Sequence, residues 1–191
     1  MKPVTRAEIL DLGEYEKIRD RFRARVIDEK KRRRGRLGDR MSFVFENHDT
    51  ALLQIQEMLR TERITREAAV LHEIETYHEL VPGDHELSAT FMIEIDDKAE
   101  RDAFLVDASG LEGAIALVCD GQKIPATVAP SRLLEGRASA VIYAKFLLPD
   151  APRARVARGD GALSLVVEHA AYQAEVALPL AVARSLAEDL A

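Results

Sequence analysis

Residue types that bind metals are concentrated in one short stretch, HEIETYHELVPGDHE at residues 72–86. This stretch holds three of the chain's five histidines together with five carboxylates. Glu75 and His78 have the Glu-x-x-His spacing by which helix bundles hold non-haem di-iron. A complete di-iron site needs a second such pair on facing helices, and the preceding segment has no matching histidine. An iron site here therefore requires a second chain.

The same stretch also fits an ordinary charged helix face. Because each helical residue turns about 100° around the axis, Glu75 and Glu79 fall within about 60° of His72, and His78 lies at the edge of the opposite face. That opposite face is apolar and consists of Val70, Ile74, Tyr77 and Val81. A buried iron centre would have its ligands on the apolar side. The alternative to a metal site at His72, Glu75, His78 and Glu79 is thus a solvated surface.

The segment FENHDT at residues 45–50 places polar residues directly before a predicted helix start. The N–H groups at the start of a helix point outward, so an anion could bind beside Glu46 and Asn47. The alternative is that Asn47 and Asp49 only shape a turn and cap the helix. Glu46 is also a candidate further ligand in the metal hypothesis.

The run KKRRRGR at residues 30–36 is strongly basic, although the whole chain carries a net charge of −6. Residues 1–40 hold fourteen Lys and Arg against eight Asp and Glu. Such a run suits an acidic partner or nucleic acid, but no aromatic residue is interleaved for base stacking. A solvated helix end, where cations favour the helix dipole, is the alternative. The candidate contacts are Lys30, Lys31, Arg32, Arg33, Arg34 and Arg36.

Composition limits the function classes that remain. The 191 residues are 47% hydrophobic, and no apolar run approaches the roughly 20 residues that span a bilayer. The N-terminus lacks a secretory apolar stretch, so we expect a cytoplasmic protein. The single Cys119 forms no internal disulfide and supplies no iron–sulfur cluster. Phosphate-binding glycine loops and the G-x-S-x-G nucleophile motif are lacking in the sequence, which argues against a typical enzyme.

Hydrophobic periodicity changes along the chain and predicts an α+β fold. Residues 1–84 favour helices, with a capping box at TRAE, a long helix over 14–34, and two more after Asp49 and Thr65. The long helix has one narrow apolar stripe, so it must lie on a neighbour or pair with a second copy in a homodimer. That stripe consists of Tyr15, Ile18, Phe22 and Val26.

Residues 85–191 alternate with a period of two and predict an antiparallel sheet of about six strands. In SATFMIEID, Ala89, Phe91 and Ile93 share one face while Thr90 and Glu94 share the other. A tight hairpin is expected at residues 120–121, since Asp-Gly tolerates positive φ angles. We expect the sheet to curl into a small barrel or sandwich and to be followed by a C-terminal helix over 182–190.

Four segments together resemble a bacterial family known only as a domain of unknown function. They are TRAEILDLGEYEKIRDRFR, FVFENHDTALLQIQEMLRTERI, HELSATFMIEIDD and VVEHAAYQAEV, so the resemblance runs from Thr5 to about Val176. It implies association with rubrerythrin-like di-iron proteins and iron–sulfur oxidoreductases of the heterodisulfide-reductase type. The family has no established catalytic residues.

Three hypotheses follow from the sequence. The first is a non-catalytic accessory or scaffold protein for an iron–sulfur or di-iron redox system. The second is a metal-dependent oxidoreductase or peroxide-handling protein whose site, with Glu75, His78 and Glu46, straddles two chains. The third is a nucleic-acid-binding module that uses the basic run at residues 30–36.

Overall fold

The structure is a computed structural model and describes residues 1–190. It contains six α-helices: α1 (Leu12–Lys31), α2 (His48–Thr61), α3 (Glu67–His78), α4 (Lys98–Asp107), α5 (Asp150–Ala157) and α6 (Leu180–Asp189). Its eight strands are β1 (Arg34–Leu37), β2 (Met41–Glu46), β3 (Glu86–Ile93), β4 (Ile115–Cys119), β5 (Gln122–Pro125), β6 (Val141–Leu147), β7 (Leu163–His169) and β8 (Tyr172–Ala177). The predicted α+β class is confirmed.

The strands form two antiparallel four-stranded sheets that pack as a sandwich and do not close into a barrel. Sheet one has the order β1-β2-β3-β6 and sheet two the order β5-β4-β7-β8. Alternate residues of both sheets point inward and form one apolar core, which α4, α5 and α6 extend. The Tyr172 hydroxyl on β8 donates a 2.6 Å hydrogen bond to the Leu37 carbonyl on β1, which joins the two sheets.

Helices α1, α2 and α3 form a layer on the outer face of sheet one. A second, smaller apolar cluster holds this layer together, with Ile55 and Leu59 from α2 and Val70 from α3, and Tyr143 of β6 packs against it. Because the layer covers a face whose strands alternate, polar residues of sheet one come to lie beneath helices. This arrangement creates the candidate site described below.

The apolar stripe of α1 is covered by its own chain. Tyr15 and Val26 are fully buried, Phe22 is half-buried, and Ile18 remains 42% exposed. The Tyr15 hydroxyl donates to Glu57 of α2 at 2.7 Å. The neighbour that the stripe requires is therefore α2, so the stripe gives no argument for a dimer.

The helix starts differ from those predicted. Thr5 and Glu8 do form the capping box, but it caps only a 3-10 turn, and α1 starts at Leu12 behind Asp11. Helix α2 is capped by Asn47, whose side chain accepts from the Thr50 N–H. Asp49 pairs instead with Arg25 of α1 at 2.5 Å. Asp49 therefore does not cap α2, because its carboxylate is bound to Arg25.

Two helical segments also differ from the prediction. The long helix ends at Lys31 and not near residue 34, and β1 follows, because the Phe45 N–H bonds to the Arg33 carbonyl at 2.9 Å and holds this segment against β2. Helix α5 was not predicted. Residues 1–84 and 85–191 share one sheet, since β1 and β2 from the first region lie beside β3 from the second.

Candidate functional site

The outer face of sheet one carries a regular grid of side chains set by the strand register. One row crosses all four strands: Arg34 pairs with Val44, Val44 with Thr90, and Thr90 with Tyr143. Side chains of directly paired residues lie on the same face. The next outward position on β2 after Val44 is Glu46, at the end of the strand and just before the start of α2.

Glu46 is a buried carboxylate with only half of its hydrogen bonding provided by the chain. It is 4% exposed. Oε1 accepts a 2.8 Å hydrogen bond from the Thr90 hydroxyl. Oε2 has no hydrogen-bond donor among residues 1–190, and the Lys30 ammonium lies 3.7 Å away, beyond hydrogen-bond distance. Leaving a buried acceptor without a donor costs about 1–3 kcal/mol.

A cleft of about 390 Å³ opens beside this carboxylate, between sheet one and the helical layer. We refer to it as the sheet-one cleft. Its polar lining includes Lys30 from the end of α1, Arg34 from β1 and Gln54 from α2, together with Glu46 itself. Its apolar lining includes Val44, Leu80, Met92 and Val141. Small-molecule sites combine an apolar wall with a few polar groups in this way.

Two arginines beside the cleft, Arg34 and Arg36, differ in their ion pairing. Arg36 pairs with Glu94 at 2.7 Å, and Glu94 also accepts from the Ser42 hydroxyl. Arg34, one outward position away on β1, forms no ion pair with any side chain of residues 1–190 while lining the cleft. Glu94 is therefore neutralised, and Arg34 is available to an incoming anion.

Tyr143 lies at the junction of the sheet-one cleft and a second hollow. Burial raises the pKa of Tyr143, and the nearby Tyr77 adds to this effect. The Arg132 guanidinium stacks 5.3 Å from the centre of its ring. The phenol thus stays protonated at neutral pH and can donate to or accept from a bound group.

The residues of the metal hypothesis lie in three places. His72, Glu75 and His78 are exposed on α3. Glu79 follows α3 and pairs with Arg132. Glu46 lies on β2, with its carboxylate toward the cleft. Among the described residues, no three His, Cys, Asp or Glu side chains lie close enough together to hold a metal ion. A metal site at the exposed residues would need ligands from another chain and stays a prediction.

The six cations of the basic run are divided between four environments, one of which is the buried position of Arg33. Lys31 and Arg32 are exposed at the end of α1, and Lys31 is 3.6 Å from Asp28. Lys30 and Arg34 line the sheet-one cleft. Arg36 is exposed but paired with Glu94. The six cations therefore do not form one continuous surface for a partner.

Arg33 lies in the interior and is unavailable to any partner. Its guanidinium donates to Asp189 of α6 at 3.0 Å, to the Ser185 hydroxyl at 3.3 Å and to the Phe45 carbonyl at 3.2 Å. Its side chain is only 1% exposed. Arg33 is buried because α6 supplies the buried Asp189 carboxylate that pairs with it. Arg33 therefore joins the end of α1 to the C-terminal helix α6.

Comparison with known proteins gives a family and no activity. A family model described as "Protein of unknown function (DUF3501)" matches residues 3–190. The chain belongs to this family. A crystal structure of a protein of unknown function from Burkholderia pseudomallei K96243 is similar, with 34% identity, a TM-score of 0.92 and full coverage of both chains. No curated protein matches. Within residues 1–190, no helix is long and apolar enough to cross a bilayer.

For this member of the DUF3501 family, sequence reasoning singled out Glu46 but missed its surroundings. Thr90 was placed correctly on the outward face of its strand, yet its bond to Glu46 depends on the register between β2 and β3. Tyr143 and Gln54 carried no local signal. The available signal was a strand whose outward residues are polar and which precedes a helix that can cover them.

Proposed function

We propose that this chain is a binding protein that holds a small polar molecule in the sheet-one cleft. The observation that carries the proposal is the Glu46 carboxylate, which is buried and leaves Oε2 without a donor from residues 1–190. Buried polar groups in folded proteins are nearly always paired, and an exception indicates a partner from outside the chain or a functional reason. A bound molecule with an N–H or O–H group is such a partner.

The size and lining of the cleft support the same proposal. Sites for small molecules enclose roughly 300–1,000 Å³, and the cleft encloses about 390 Å³. The volume suits a metabolite of roughly amino-acid size and excludes a folded partner. A peptide or nucleic acid would need an open groove, whereas α2 and Leu80 cover this face of the sheet.

The binding role is compatible with the accessory role that the family resemblance implies. An accessory protein of an iron–sulfur or di-iron system could respond to a metabolite through this cleft. The redox partner, the cytoplasmic location and the homodimer stay predictions, and the binding proposal depends on none of them.

The proposal is tested by thermal unfolding in the presence of pooled small polar metabolites. A ligand at 100 times its Kd stabilises a folded protein by about 2.7 kcal/mol, which raises the Tm by several degrees for a chain of this size. Val141 lines the mouth of the cleft and is 42% exposed, so Val141→Trp narrows the cleft without entering the core.

Leu147→Trp is the matched control, because Leu147 is 61% exposed on the same strand and lies outside the cleft. We expect at least one pool to raise the Tm of the native chain and of Leu147→Trp, but not of Val141→Trp. A Tm that no pool changes, or a rise that persists in Val141→Trp, would overturn the proposal.

A further inference from the structure

We infer that the molecule bound in the sheet-one cleft is an amino acid with an apolar side chain, held as its zwitterion. Its ammonium group would meet Glu46, and its carboxylate would meet Arg34 and Lys30. The inference rests on the proposed function and adds the chemical class of the ligand.

The ammonium site follows from the geometry around Glu46. Thr90 occupies Oε1, so the carboxylate is fixed in orientation, and Oε2 is the acceptor left over. An ammonium group carries three donors and a full positive charge, and hydrogen bonds between charged groups are about twice as strong as neutral ones. Lys30, at 3.7 Å, supplies charge but no hydrogen bond. A ligand ammonium would supply both.

The carboxylate site follows from Arg34. This residue lines the cleft and has no ionic partner among residues 1–190, whereas Arg36 on the same strand is neutralised by Glu94. A guanidinium matches a carboxylate through two parallel hydrogen bonds. Arg34 lies diagonally across the strand pair from Glu46, at a separation of roughly 7–8 Å between Cα atoms. Two side chains that reach toward each other over this distance can hold the two ends of one amino acid.

The charge balance of the cleft argues against simpler ligands. Once Glu94 is paired with Arg36, two cations, Lys30 and Arg34, remain against the single anion Glu46. A plain amine would donate to Glu46, but it has no negatively charged group to pair with Lys30 and Arg34. A plain carboxylate would satisfy Arg34 but would leave Glu46 Oε2 without a donor. A molecule with both groups satisfies both sites.

The apolar part of the lining indicates the side chain. Val44, Met92, Val141 and Leu80 surround the polar groups. An aliphatic side chain buried against such a wall strengthens binding through the hydrophobic effect. A polar side chain placed against these four residues would lose its water without gaining a hydrogen bond.

The test is isothermal titration of the full chain with four matched probes: L-leucine, N-acetyl-L-leucine, L-leucinamide and 4-methylpentanoate. They share one side chain and differ in which charged group they keep. We expect L-leucine to bind, and each of the other three to bind at least tenfold more weakly. Glu46→Gln should weaken L-leucine at least tenfold but should not weaken 4-methylpentanoate, because it removes a negative charge that repels a carboxylate, whereas Arg34→Gln should weaken both. Arg32→Gln, an exposed neighbour outside the cleft, should change neither.

The outcomes separate the inference from the function on which it rests. If 4-methylpentanoate or L-leucinamide binds as well as L-leucine and Val141→Trp abolishes that binding, the ligand class is wrong and the binding function stands. If L-leucine fails while another small metabolite raises the Tm of the native chain and of Leu147→Trp but not of Val141→Trp, the class is again wrong. If no probe and no metabolite pool binds, both proposals fail. Circular dichroism of each variant confirms that it is folded.

Discussion

Two carboxylates, Asp189 and Glu46, lie buried beside cations of the same basic run, and they differ in how completely they are hydrogen-bonded. Asp189 is bound by Arg33, with both side chains 3% exposed or less. Glu46 is 3.7 Å from Lys30, whose side chain is 26% exposed. The first carboxylate has hydrogen-bond donors on both oxygens, whereas the second has, among residues 1–190, no donor on one oxygen. The hydrogen bonding of the first pair is complete within these residues, and that of the second is not.

The difference separates a structural ion pair from a binding site. Desolvating two charges is repaid only when the geometry is good and the remaining polar atoms are bonded. The Arg33–Asp189 pair meets the hydrogen-bonding part of this condition and joins α6 to the end of α1, whereas Glu46 meets it only when a donor arrives from outside. Functional residues commonly cost stability in the unbound protein, and we expect this of Glu46.

The largest expected loss of stability comes from breaking the Arg33–Asp189 pair. Asp189→Asn removes the charge that compensates the buried Arg33 guanidinium, so the free energy of unfolding should fall by about 3 kcal/mol. Urea unfolding at pH 7 measures it. Glu188→Gln removes a carboxylate from the neighbouring, exposed position of α6 and should change stability by less than about 0.5 kcal/mol. Equal effects in the two variants would show that α6 is not held by this pair.

Burial also makes the Asp189 charge costly. Burial raises the pKa of the Asp189 carboxyl by more than the Arg33 guanidinium lowers it. A carboxyl whose pKa is raised on folding stabilises the protein only when protonated, so this contribution is present at low pH and is lost as the pH rises through the folded pKa. The deficit of Asp189→Asn should therefore grow as the pH falls from 7 toward the ordinary Asp value of 3.8, because the variant lacks this contribution. A deficit that shrinks over this range would contradict the raised pKa.

Two tyrosines extend the comparison to neutral groups. The Tyr172 hydroxyl donates to the Leu37 carbonyl at 2.6 Å and accepts from the Arg40 N–H at 3.2 Å. Tyr172→Phe should therefore cost about 1–2 kcal/mol in urea unfolding. Tyr143→Phe should cost less than about 0.5 kcal/mol, because the Tyr143 phenol faces the cleft, but it should weaken ligand binding. A larger stability loss for Tyr143→Phe than for Tyr172→Phe would reverse the roles assigned here.

A third carboxylate, Glu57, is fully bonded but lies nearer the surface. It accepts from Tyr15 at 2.7 Å and from Arg19 at 2.8 Å, and the Arg19 guanidinium holds the pKa of Glu57 below its ordinary value. A carboxyl with a lowered folded pKa stabilises the protein above its unfolded pKa, and this contribution is lost as the pH falls through the folded pKa. Glu57→Gln should lower stability at pH 7 and flatten its decline below about pH 4.5. An unchanged acid profile would show that Glu57 does not contribute.

The smallest expected effect belongs to the exposed face of α3. Glu75→Ala and His78→Ala remove side chains that solvent surrounds, so each should change the free energy of unfolding by less than about 0.5 kcal/mol. Elemental analysis of anaerobically purified protein tests the metal hypothesis on the same variants. Iron near one or two atoms per chain, lost in both variants, would establish a site shared between chains and place function on α3.

Local signals predicted much of the fold. The alternation in residues 89–95 gave the inward face of β3, with Ala89 and Phe91 fully buried. Asp120 and Gly121 adopt φ angles of 48° and 84° in the predicted hairpin. Strand β1 was missed because its cause is distant. Arg33 belongs to a basic run that favours a helix end, and its partner Asp189 lies 156 residues away.

From the sequence, only one residue of the candidate site, Glu46, could be identified as unusual. Glu46 interrupts an apolar run, which the sequence shows, but the missing donor at Oε2 is a property of the assembled register and of the helices above it. The histidine-rich stretch gave a stronger local pattern and lies on an exposed face. Residue type and spacing identify groups that could react, whereas burial decides which of them lacks a partner.

The most direct test of this account is the unfolding free energy of Glu46→Gln beside that of Asp189→Asn, measured without ligand at pH 7. Both changes replace one carboxylate oxygen by an amide of the same size. Asp189→Asn should lose about 3 kcal/mol. Glu46→Gln should be unchanged or gain up to about 1 kcal/mol, because a buried charge that lacks a hydrogen-bond donor is replaced by a neutral amide, which costs less to bury. A loss of 2 kcal/mol or more in Glu46→Gln, on the scale of a broken buried pair, would show that Glu46 is a structural partner of Lys30 and would contradict the assignment of the cleft.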